Sequence, residues 1–182
     1  MIGDSTMANK DISGGKMERG WGMMLKNFFT EDVIVDNHAL NGRSSKSFIS
    51  EGHWQKVVEK IKPGDYVFIQ FGHNDEKDDL KRHTDPGTTF DENLRKFVKE
   101  TRMRGGIPVL FNSVVRRIFT NSTTAVADDD TRSNSSADLI EGDTLVDTHG
   151  DYLLSPRNVA RELDVPFVDA NKITHDLEQG LG

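Results

Sequence analysis

The sequence predicts an α/β domain with a mostly parallel sheet, and two patterns carry that expectation. Short apolar runs of β-branched and aromatic residues are continuous rather than alternating, as suits strands covered on both faces. Between them lie longer stretches with apolar residues at helical spacing, and strands alternating with helices in this way build parallel sheets. A length of 182 residues suits one core and is short for two, so residues 1–182 are read as a single domain.

The elements follow in chain order. Met1-Ile2 feeds Gly3-Asp4-Ser5-Thr6, read as a strand-to-helix turn. Strands usually run ~5–6 residues, so the domain is expected to begin before Met1. Val33-Ile34-Val35 is read as the second strand, running into "DNHALNGRSS". His53 to Ile61 places Trp54, Val57, Val58 and Ile61 at i, i+3, i+4 and i+7, then stops at Pro63-Gly64. Val67 to Phe71 is the third strand and ends in Gly72-His73-Asn74-Asp75. Glu92 to Met103 carries Leu94, Phe97 and Val98 on one stripe ahead of a Gly105-Gly106 stop. Ile107 to Phe111 is the fourth strand. Ser155-Pro156 reads as an N-cap with proline at the first helical position, leading into "RNVAREL". Val165 to Val168 is a weaker fifth strand. The stretch from Thr120 to Asp143 is rich in Ser, Thr, Asn and Asp, lacks apolar periodicity and is expected to be a mobile insertion.

Composition narrows the function. With 23 Lys and Arg against 30 Asp and Glu the net charge is −7, which argues against nucleic acid or an anionic membrane surface as a partner. There is no cysteine, so disulfides and cysteine-based metal or redox chemistry are excluded. No apolar run approaches the ~20 residues that span a bilayer, and the basic and apolar segments of a signal peptide are missing.

The chemistry gathers at predicted strand ends, which in open α/β sheets surround the ligand crevice. A serine at a strand-to-helix turn exposes its hydroxyl and suits acyl transfer if a base takes its proton. The tetrahedral intermediate then needs donors aimed at the oxyanion. Gly42 can offer an unobstructed backbone N–H and Asn74 a side-chain amide. Taken singly, Ser5 could be a helix cap, Gly42 a turn residue and Asn74 a cap or turn former. Their order and shared position at strand ends favour a site.

Gly3-Asp4-Ser5, Gly42 within "NGRSS" and Gly72-His73-Asn74-Asp75 together resemble the first three blocks of the GDSL/SGNH hydrolases. "GWGMML", "KPGDYVFIQFGHND", "PVLFNSVVRR" and "THGDY" are similar to the rhamnogalacturonan acetylesterase branch, in its order. That resemblance covers nearly all of the chain except the Thr120–Asp143 insertion. It implies a flavodoxin-like three-layer α/β/α sandwich, the SGNH hydrolase fold. It also implies Ser5 as nucleophile, and an oxyanion hole made by the Ser5 and Gly42 N–H groups and the Asn74 side chain. The implied reaction removes O-acetyl groups from pectic or related polysaccharide or oligosaccharide, with no metal or cofactor. Members are commonly exported, so a secreted or periplasmic location is expected.

The family's base is a histidine in a late Asp-x-x-His block, and the sequence stops at "HDLEQGLG" before that block is expected. None of the six histidines is an obvious substitute. His73 takes a positional and hydrogen-bonding role by resemblance, His38 reads as packed, and His53 and His83 as solvated. His175 lies where the family places no base. His149, in "VDTHGDY", imitates the late motif but matches an earlier, non-catalytic stretch. The base and its orienting Asp are therefore expected outside residues 1–182. The competing reading is a catalytically inactive SGNH fold that binds glycan or protein. Within the site, Arg43 is expected to anchor the loop after strand two and Trp21 to pack the first helix, with a role in shaping a sugar site as the alternative for each.

Overall fold

The computed structural model describes residues 1–120, 139–141 and 144–181. Seven strands are described: β1 (Ile2–Gly3), β2 (Tyr66–Gln70), β3 (Ile107–Phe111), β4 (Ile118–Thr120), β5 (Leu139–Glu141), β6 (Thr144–Leu145) and β7 (Phe167–Val168). The helices are α1 (Trp21–Leu25), α2 (Ser45–Ser50), α3 (His53–Val58), α4 (Thr89–Met103), α5 (Leu154–Leu163) and α6 (Ala170–Leu181), with short 3₁₀ turns between some of them.

The central sheet has the order β1-β2-β3-β7, and every neighbouring pair is parallel. Gly3 stands opposite Gln70, and Gln70 opposite Phe111, so the carboxyl ends of β1, β2 and β3 lie level at one edge. Side chains alternate across the sheet, as the strand period of two requires. Val67, Ile69 and Leu110 enter the main core with Phe48, Trp54, Phe90, Leu94, Phe97 and Val159 from α2 to α5. The alternate positions face the other way. There Phe68 and Phe111 approach with ring centroids 5.2 Å apart, and Trp21 of α1 lies 5.4 Å from Phe111. Helices therefore flank the sheet in the α/β arrangement that the sequence pattern predicts.

The helix α4 begins three residues before its apolar stripe predicts and ends where expected. Gly105, at φ +78°, turns the chain, and the Gly106 N–H closes on the Thr101 carbonyl at 3.0 Å. Trp54 of α3 meets Phe97 edge-on at 4.9 Å, while its indole N–H donates to Glu100 at 2.6 Å. This satisfies the buried ring's one donor.

Three local expectations differ from the structure. Val33-Ile34-Val35 is not a strand, and Ile34 is 91% exposed. The run does lie parallel to β1 further on, through His38 N–H to the Met1 carbonyl and Leu40 N–H to the Gly3 carbonyl. That register sets His38 beside Met1, while the Val33 N–H closes a turn onto the Thr30 carbonyl at 3.1 Å instead of joining a ladder. Ser155 is not an N-cap either. A 3₁₀ turn over Gly150–Leu153 runs straight into α5, so Ser155 sits inside the first turn, with its hydroxyl accepting from Gly87 N at 3.4 Å. Pro156 still falls in that turn, where no intrahelical N–H is needed. Third, α3 stops at Val58, short of Ile61, which packs against the main core from the loop.

Of the predicted insertion, residues 121–138 and 142–143 lie outside the described residues. Within its span Leu139–Glu141 form a strand, contrary to the expectation of an unstructured insertion: backbone pairing orders them, as β5 pairs parallel with β4, which in turn pairs antiparallel with β6.

Candidate active site

The turn that carries Ser5 is built by Asp4. Its Oδ1 accepts from the Thr6 N–H at 2.9 Å and the Thr6 hydroxyl at 2.7 Å, and the Met7 and Ala8 N–H groups both donate to its carbonyl. Asp4 is fully buried, and among the described residues its Oδ2 has no hydrogen-bond partner. Burial raises its pKa above the usual carboxylate range, opposed by the Thr6 hydrogen bonds and by the nearby His149 and Arg116. Ser5 itself is half-buried and borders a cleft of about 380 Å³, together with Thr6, Arg19, Trp21, Val115 and Thr174.

Trp21 is tied to this turn at two points. Its backbone N–H donates to the Thr6 carbonyl at 2.9 Å, and its indole N–H to Gln70 Oε1 at 2.6 Å. Its ring therefore both packs on Phe111 and walls the cleft. Gln70 carries no motif of its own in the sequence; the β2 register brings its amide under the Ser5 turn.

The second loop leaves the stretch paired with β1. Two residues past Leu40 comes Gly42, at φ +71° with open space around its α-carbon. The loop ends in a capping box, in which Ser44 Oγ accepts from Ser47 N at 3.1 Å and Ser47 Oγ from Ser44 N at 2.9 Å. Arg43 anchors this loop, as expected, with Nε on Glu51 at 2.8 Å and Nη1 on the Asn41 carbonyl at 3.2 Å.

The third loop leaves β2 through Gly72. At φ +143°, a side chain there would be strained and its Cβ would collide with Ser113 Oγ. Asn74 follows, buried, and its Nδ2 donates to the Arg43 carbonyl at 3.2 Å. Asp75 locks the same two loops together by accepting from the Ser45 N–H at 3.0 Å, the Ser45 hydroxyl and the Thr84 hydroxyl at 3.0 Å. Burial nevertheless pushes the Asp75 carboxyl up to about 7. The structure thus joins the Gly42 and Asn74 loops by direct hydrogen bonds. It sets the Ser5 turn at the same sheet edge, one strand away from each.

The histidines lie elsewhere. His149 is buried, with Nδ1 2.9 Å from Glu76 Oε2 and Nε2 3.1 Å from the Val114 carbonyl. Arg116 completes that cluster through Glu76, the Thr148 hydroxyl at 2.6 Å and the His73 carbonyl at 3.3 Å. Both ring nitrogens of His149 are thereby engaged, as a structural tie requires. His73 packs 4.5 Å from the His149 ring. Burial, and then the charges of His149 and Arg116, hold its pKa well below the usual histidine value. Its Nδ1 has no partner among the described residues, so the hydrogen-bonding role implied for His73 rests on its carbonyl. His38 and His53 pair with Asp36 and Glu51, and His83 Nδ1 faces the Lys77 carbonyl at 2.9 Å. None of the described histidines lines the cleft. Among the described residues no group of three or more His, Asp or Glu side chains is placed to hold a metal ion.

Residues 1–181 match the family model described as GDSL-like lipase/acylhydrolase. The chain belongs to that family. Within it, this GDSL-family chain is 36% identical over 182 residues to the rhamnogalacturonan acetylesterase RhgT of Bacillus subtilis, spanning all of itself and 68% of that protein. It is 37% identical over 122 residues to a probable rhamnogalacturonan acetylesterase, YesY, of the same organism, covering 66% of this chain and 55% of that relative. Among solved structures, YxiM of Bacillus subtilis superimposes with a TM-score of 0.74 at 23% identity, over 100% of this chain and 45% of that one. An acetyl xylan esterase variant of Geobacillus stearothermophilus gives 0.61 at 19% identity, over 97% of this chain and 77% of its own. These likenesses establish the esterase-type α/β fold, and Gly3-Asp4-Ser5 stands at the first strand end of this GDSL-family domain.

Proposed function

We propose that the chain carries the serine and oxyanion-binding part of a carbohydrate O-acetylesterase, acting on acetylated pectic polysaccharide of the rhamnogalacturonan kind. The observation that carries this reading is the direct tie between the Gly42–Arg43 and Asn74 loops, beside a serine turn that opens on a cleft. The names of the two relatives at 36% and 37% identity supply the substrate class.

In this reading the Ser5 Oγ attacks the acetyl carbonyl, and its proton passes to a base. The carbonyl oxygen becomes an oxyanion held by the Ser5 N–H, the Gly42 N–H and Asn74 Nδ2. The sugar hydroxyl leaves with a proton, and water then attacks the acetyl-serine to release acetate and restore Ser5. Donors fixed in advance stabilise the oxyanion without reorganising, and losing one typically costs about 10²–10³ in kcat. The general base is assigned to a histidine outside the described cleft.

The test is acetate release from acetylated pectin and from p-nitrophenyl acetate, with and without added imidazole as an external base. Slow turnover that imidazole accelerates, and that Ser5→Ala abolishes at every imidazole concentration, is expected. Equal rates for the chain and its Ser5→Ala variant would sink the esterase reading and leave a binding role to be measured with acetylated oligosaccharides.

A further inference from the structure

Asn74 is held from both sides, and the chemistry of its two neighbours fixes which way its amide points. The Arg43 carbonyl can only accept, so the atom 3.2 Å from it must be Nδ2. Arg82 Nη1, 3.4 Å from the other terminal atom, can only donate, so that atom must be Oδ1. The two assignments agree without reference to any ligand. One Nδ2 hydrogen is spent on Arg43, and the second is left for an oxyanion.

Arg82 is itself held in place. Its Nε donates to Asp79 Oδ2 at 2.9 Å and its backbone N–H to the Asp79 carbonyl at 2.8 Å. The Lys81 N–H donates to Asp79 Oδ1 at 3.0 Å, which closes the turn. Lys46 of α2 then reaches over to donate to the Leu80 carbonyl at 2.7 Å and the His83 carbonyl at 3.3 Å. The 79–83 turn is thereby joined to α2, which starts just after Arg43, so hydrogen bonds connect Arg82, Asn74 and Arg43 across the two loops.

We propose that Arg82 is a positioning residue: it holds the Asn74 amide with Nδ2 toward the oxyanion site and, by its charge on Oδ1, makes that N–H a stronger donor. The inference rests on the esterase reading for its effect on rate, but not for the orientation itself. A flipped amide would present Oδ1 to the oxyanion and turn a stabilising contact into a repulsive one. Because the Arg43 carbonyl still favours the correct flip, losing Arg82 should cost less than losing the donor outright.

The experiment compares Arg82→Met, which keeps the length and removes the donors, with Arg82→Lys, which restores one. Two quantities are read: the NMR signal of the Asn74 side-chain amide with its hydrogen-exchange protection, and imidazole-supported p-nitrophenyl acetate turnover. Arg82→Met is expected to shift the Asn74 amide signal and cut its protection. It should also lower kcat about tenfold at unchanged KM, and Arg82→Lys should recover most of both. An Asn74 amide identical in Arg82→Met and the parent chain would overturn the proposal, as would a raised KM at unchanged kcat, which would make Arg82 a substrate contact. If the parent chain shows no Ser5-dependent turnover, the esterase reading fails, and the amide signal still decides the role of Arg82.

Discussion

Asp75 shows how one buried carboxyl couples the site to pH. Free in an unfolded chain it would titrate near the ordinary aspartate value of about 4, whereas burial in the fold pushes it up to about 7. Between those values the folded protein holds a proton that the unfolded chain has released. The contribution of this group to stability is therefore fully present below about pH 4 and lost as pH rises through about 7. Asp75→Asn cannot ionise, yet its Oδ1 can still accept from Ser45 and Thr84. Urea unfolding at a series of pH values should show the stability of Asp75→Asn rising relative to the parent chain between pH 5 and 7.5. A difference that stays flat over that range would mean the Ser45 and Thr84 donors fully offset the burial. Asp4, buried and also raised, acts in the same direction and is common to both proteins.

At the scale of elements, α3 and α4 pack into the main core with Val67, Ile69, Phe71 and Leu110 from the sheet side. Phe97 is fully buried, 4.9 Å from Trp54 and 5.4 Å from Phe71 by ring centroid. Removing that ring leaves a cavity that buried neighbours on α3 and just past β2 cannot close, so Phe97→Ala is expected to cost about 3–5 kcal/mol. Met103, six residues along the same helix, is 82% exposed. Met103→Ala should change the unfolding free energy by less than about 0.5 kcal/mol. Equal losses in the two variants would contradict the helix orientation. The α4 stripe of Leu94, Phe97 and Val98 was legible in advance because a 3.6-residue period leaves one apolar face whatever that face meets. The start of α5 was not, since a serine before a proline reads as a cap unless the chain ahead of it is already helical.

At the scale of the whole molecule, exposed apolar side chains gather in the stretch of chain between β1 and the run that pairs with it. Ile12, Met17, Phe28, Phe29, Val33 and Ile34 are all exposed apolar side chains between residues 12 and 34. The stretch leads into the run beside β1, where the Met1 ammonium donates to the Asp36 carbonyl at 2.8 Å and His38 N–H donates to the Met1 carbonyl at 2.9 Å. Ile34, at 91% exposure, buries almost none of its side chain in the fold. Ile34→Lys should therefore leave the urea midpoint within the equivalent of about 0.5 kcal/mol and improve solubility. A loss of several kcal/mol would show instead that Ile34 is packed in solution.

The sequence by itself determined the fold class and the polar clusters at the strand ends. It could do so because β2, β3 and α4 declare themselves through local periodicity, and because Gly3-Asp4-Ser5, Gly42 and Asn74 are short motifs readable in one dimension. The tertiary structure decided which of those residues meet. Register set Gln70 beneath the Ser5 turn, the Arg43 carbonyl took one Asn74 hydrogen, and Arg82 reached Asn74 from a loop with no periodicity to mark it. It also withdrew His149 from any exposed role by closing Glu76 and Val114 on its two nitrogens. Those outcomes depend on contacts between residues 8 to 73 positions apart, and such contacts exist only once the sheet has fixed the distances between its loops.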